Sequence, residues 1–129
     1  MDGNKFEDYV LSSIRSTFDE ISDLVVSKSI NYGVGKCFEP PRLVPGATAE
    51  TALLTRLSDK IGRFETLLRG ERDRVGESLD DTARDMIGYL ALWLTLRQLE
   101  TEKKRRESVK ERLRDVAARA EFEAAVQYP

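Results

Sequence analysis

Histidine is absent from this 129-residue chain, and cysteine occurs once, at Cys37. The first absence removes the usual zinc sites, Ser-His-Asp triads and Cys-His dyads together. The second removes any intramolecular disulfide and points to a cytoplasmic protein. No uninterrupted apolar run approaches membrane length, so no membrane association is expected. The opening MDGNKFEDY is polar and acidic, unlike a signal peptide. Strand patterning is missing too, because alternation is absent and β-branched residues are scattered. Neither sign of charge dominates: 21 basic against 23 acidic residues leave −2, with no strong nucleic-acid signal. Any catalysis therefore rests on carboxylates, Lys, Arg, Tyr or a bound metal.

What is present is helical periodicity. Hydrophobic residues make up 40% of the chain and charged residues 34%, which suits one globular domain with a core. Phe6, Tyr9, Val10, Ile14, Phe18, Ile21, Leu24 and Val25 recur at helical spacing, predicting a helix over about 5–30 that stops at Gly33. Residues 33–48 hold three of the four prolines and read as a loop. Thr48 and Thr51 form a partial capping box ahead of a second helix, about 49–69. Gly70 ends it, and residues 70–76 read as a charged turn. A third helix begins near Glu77 or Ser78. Glu100 to Lys110 is almost free of apolar residues, after which Val109, Leu113, Val116 and Ala120 resume a helical period. Either one long helix runs to the end, or a break near 100–107 precedes a fourth. The expected fold is all-α: a bundle of about four helices with a long C-terminal helix. One domain is expected, with its core over about 5–98 and an extension over about 99–127. The thin stripe of that extension suggests that it packs on a partner subunit.

Chemistry concentrates in ESLDDTARDMIGYLALW, Glu77 to Trp93. On a helix, Glu77, Asp81 and Asp85 fall in one stripe, each about 40° from the last. Carboxylates gathered beside an apolar face need a positive partner, and a hard cation such as Mg²⁺ takes oxygen ligands. The plainer explanation is a helix N-terminus, which attracts acids; it accounts for Glu77, Asp80 and Asp81 better than for Asp85. Arg56, Asp59, Lys60 and Arg63 share one flank of the second helix. They read either as surface ion pairs or as a clamp for phosphate. Asn31 and Tyr32 lie where the first helix stops, and suit a turn or contact with a base. Gly88 costs helix stability and implies close approach of a helix or ligand. The run Lys103-Lys104-Arg105-Arg106, flanked by acids, reads as a solvated face. Trp93 suits core or interface, and Cys37 a loop.

In this order, NYG, RLSDKIGRFETLL and ESLDDTARDMIGYLAL resemble the phage and bacterial nucleotide modification associated domain family, over roughly residues 25–95. That family is similar to the all-α nucleoside triphosphate pyrophosphatases of the MazG and dimeric dUTPase group. The resemblance implies a helical bundle, a homo-oligomer (dimer or tetramer), and Mg²⁺-dependent cleavage of a nucleoside triphosphate to monophosphate and pyrophosphate, with Mn²⁺ as a substitute. It also implies roles by position. Glu77, Asp81 and Asp85, with Asp59, would hold metal, and Glu77 and Asp81 would be catalytic. Arg56, Lys60 and Arg63 would bind phosphate, and Asn31, Tyr32 and Tyr89 base or sugar. Where the pyrophosphatases carry Glu-x-x-Glu, this chain offers only Asp59 and Glu65 at another spacing. A non-catalytic nucleotide-binding partner of DNA-base modification, or a helical assembly module, fits the same residues.

Overall fold

The structure, a computed structural model, describes residues 2–70 and 78–127. Its regular elements are α1 (Gly3–Tyr32), a 3-10 turn (Lys36–Phe38), α2 (Ala49–Leu68) and α3 (Leu79–Gln127). No strand occurs among the described residues. The chain is all-α with a long C-terminal helix. The expectation of about four helices is corrected to three α-helices among the described residues, because α3 continues through residues 100–107 without a break. That stretch lacks apolar side chains but also lacks Gly and Pro, and its Glu, Lys and Arg are good helix formers. Arg105 and Arg106 both reach back to Glu102, at 2.7 and 3.1 Å. Such one-turn pairs support an exposed helix.

Local signals set the other boundaries. Asp2 caps α1 by accepting from the Lys5 N–H at 2.9 Å. Gly33 closes that helix at φ +97°, a backbone region few side chains adopt. Thr48 Oγ1 accepts from the Thr51 N–H at 3.1 Å and lies 3.0 Å from the Thr51 hydroxyl. A hydroxyl thus stands in the place of the usual capping-box Glu. Gly70, at φ +82°, donates its N–H to the Leu67 carbonyl and ends α2. Ser78 Oγ accepts from the Asp81 N–H at 3.0 Å, so α3 starts just after Ser78. Glu77 and most of the expected charged turn, residues 71–77, lie outside the described residues.

Two compact units result, residues 1–94 and 95–129. In the first, the buried side chains are Ile21, Ala49, Leu53 and Thr82. Thr82 tolerates full burial because its hydroxyl donates to the Ser78 carbonyl at 3.0 Å. Gly88 brings α1 and α3 together, since a Cβ there would lie 3.1 Å from Val25 Cγ2. Ile21 is 4% exposed at the centre of the apolar stripe of α1, yet Phe6, Val10, Ile14 and Phe18 of that stripe are 38–63% exposed. In the second unit, every described residue from Lys103 onward is exposed. No helix among the described residues is long and apolar enough to cross a membrane.

Candidate functional site

All the elements of the first unit meet around a cavity of about 430 Å³. That volume falls within the roughly 300–1,000 Å³ common for small-ligand sites. Its apolar wall comes from Leu24 and Val25 of α1 and Leu92 of α3. Gly88 keeps this wall recessed by adding no side chain. Lys28 of α1, Lys36 of the 3-10 turn, Arg56 of α2 and Arg84 of α3 bring four cations to the lining. Against them stands one acid, Asp85. Tyr32 and Tyr89 add two aromatic rings; Tyr32 is 77% exposed and Tyr89 is half-buried.

Helical spacing explains the convergence. Lys28 and Tyr32 are one turn apart on α1, as are Asp85 and Tyr89 on α3, so each pair shares a face. Asp85 then ties three helices together. Its Oδ2 lies 2.9 Å from Lys60 Nζ of α2, and its Oδ1 lies 3.4 Å from Lys28 Nζ of α1. Arg84 is held from two sides, by Glu20 at 3.1 Å and Asp81 at 3.4 Å. Cys37 is among the lining residues, and burial raises its thiol pKa more than Arg56 lowers it.

The expected site residues separate on this frame. Arg56, Asp85, Tyr32 and Tyr89 line the cavity. Lys60 reaches it through Asp85. Arg63 is half-buried on α2, while Asp59 and Asn31 are exposed, and none of the three lines the cavity. Asp81 is exposed at the start of α3, turned to Arg84. Lys28, Lys36 and Arg84 were not anticipated from sequence. Each belongs to a different element, and no linear motif joins them. The one available signal was the i,i+4 spacing of Lys28 to Tyr32.

Of the Mg²⁺ ligands implied by the resemblance, Asp59, Asp81 and Asp85 belong to the described residues and Glu77 lies outside them. Among the described residues no three acidic or thiol side chains are grouped to hold a metal. The single carboxylate of the cavity has an ammonium near each oxygen. This donor set attracts anions rather than a hard cation. No protein family, curated protein or solved structure matches the chain.

Proposed function

We propose that the cavity binds a nucleotide, with the phosphates among Lys28, Lys36, Arg56 and Arg84 and the base against Tyr32 or Tyr89. The observation that carries this reading is the convergence of four cations from four elements on one apolar, tyrosine-bearing cavity. Arg forks and Lys ammoniums suit phosphate oxygens, and an aromatic face stacks on a base. Ion pairs hold Lys28 to Asp85 and Arg84 to Glu20 and Asp81, but among the lining residues themselves one acid stands beside four cations. Calorimetric titration of the chain with a panel of nucleoside triphosphates and their parent nucleosides tests it. Triphosphates should bind and nucleosides should bind at least about tenfold more weakly, as expected if charge-assisted contacts supply the affinity. Equal affinity for both, or no binding of either, overturns it.

A second reading makes the protein a Mg²⁺- or Mn²⁺-dependent pyrophosphohydrolase of nucleoside triphosphates. The three-block resemblance to the nucleotide modification associated domain and MazG-like proteins supports it. Pyrophosphate release with either metal, lost in Asp81→Asn or Asp85→Asn, would favour it over binding alone. No turnover of any nucleotide would leave the binding reading, including a role beside DNA-base modification.

We further propose that the chain works as a homo-oligomer, a dimer or tetramer. The exposed part of the α1 stripe, which includes Phe6, Tyr9, Val10, Ile14 and Phe18, supports this. An apolar face that size is normally covered in a soluble protein.

A further inference from the structure

The second unit is a single helical segment, and its side chains are sorted with unusual order. Val109, Leu113, Val116 and Ala120 recur at alternating spacings of four and three, the seam of a two-helix coiled coil. Val109, Leu113 and Val116 are 40%, 63% and 64% exposed. With Leu113 at heptad position a, the flanking e and g positions from 103 to 119 are Lys103, Arg105, Lys110, Arg112, Ala117 and Arg119. None is acidic. Glu107, Glu111 and Asp115 lie on the back of the helix. Glu102 closes the N-terminal end of the seam, held by Arg105 and Arg106. Glu123 closes the other end, at a d position.

We propose that this face docks an amphipathic helix of a partner protein whose own flanking positions are acidic. The flanks of a coiled coil choose its partner, and here both flanks are basic. A second copy on this seam would set cation against cation in either a parallel or an antiparallel pair. A lipid surface calls for a broader apolar face with bulky or aromatic residues. This seam has one Leu and no aromatic residue, and Phe122 points elsewhere on the helix. Nucleic-acid phosphates would use the cations but give the seam between them nothing to cover. The inference is independent of the nucleotide cavity, which lies wholly within residues 24–92.

Fluorescence anisotropy with the full chain tests it, using labelled synthetic helices of about three heptads. One carries Leu at the seam and Glu at the flanks, the second Leu and Lys, the third Ser and Glu. The Leu/Glu helix should bind, and the other two should bind about tenfold or more weaker, since both seam and charge are needed. The variant K110E/R112E/R119E should shift the preference to the Leu/Lys helix. Leu113→Asp should abolish binding while circular dichroism keeps the wild-type helical signal. Equal binding of the Leu/Glu and Ser/Glu helices would overturn the proposal, because charge alone would then suffice. So would a change in the sedimentation of the chain alone on Leu113→Asp, which would assign the seam to a second copy. Binding to phosphatidylserine vesicles without binding to any helix would also overturn it, in favour of a membrane.

Discussion

Asp85 is the residue on which the electrostatics of the cavity turn. Its carboxylate holds Lys28 and Lys60 and is the one acid among the lining residues beside four cations. Asp85→Asn should therefore tighten triphosphate binding several-fold without divalent ions, and steepen its salt dependence. A loss of tenfold or more would mean that the carboxylate itself serves the ligand. Gly88 offers a second test at this scale. Gly88→Ala gains about 1 kcal/mol of helix propensity, but its methyl would meet Val25 at 3.1 Å. The two effects should nearly cancel in a denaturant midpoint, and Val25→Ala should release the gain. Gly88→Leu should destabilise by roughly 1–3 kcal/mol through overpacking. A helix-breaking glycine amid apolar residues made this close approach legible in the sequence. The ion pairs of Asp85 were not legible, since Lys28 is 57 positions away.

At the scale of elements, boundaries followed from local chemistry that a sequence displays. The glycines at 33 and 70 stop helices because each takes a positive φ, and Thr48 caps α2 through its hydroxyl. The number of helices was less legible. A stretch without apolar residues suggests an interruption, but packing is not what keeps residues 100–110 helical. Glu102 makes three charge-assisted hydrogen bonds to Arg105 and Arg106, which lower its pKa to about 2. A carboxyl with a depressed pKa contributes stability that is present above its ordinary value of 4.5 and is lost as pH falls toward 2. The helical circular dichroism of the chain should therefore weaken over that acid range. Glu102→Gln should remove that part of the acid dependence.

For the whole molecule, the decisive feature is how little is buried. Few side chains of the first unit are fully covered, while ordering each residue costs about 1–2 kcal/mol of backbone entropy. Stability should thus depend on protein concentration, and sedimentation should find a dimer or tetramer. Phe6→Asp/Ile14→Asp should yield smaller species and a lower melting temperature, whereas a stable wild-type monomer would remove the oligomer proposal. Periodicity foretold the apolar stripe of α1, but not that most of it would stay exposed within the chain, because spacing sets which residues share a face and not what covers that face. Nucleotide binding in the cavity is tested most directly by calorimetric titration of a deoxynucleoside triphosphate into the wild type and into Lys28→Ala/Arg56→Ala. Saturable binding by the wild type, weakened about tenfold or more in the variant while the fold is kept, is predicted from the loss of two charge-assisted contacts. Identical affinities would contradict it.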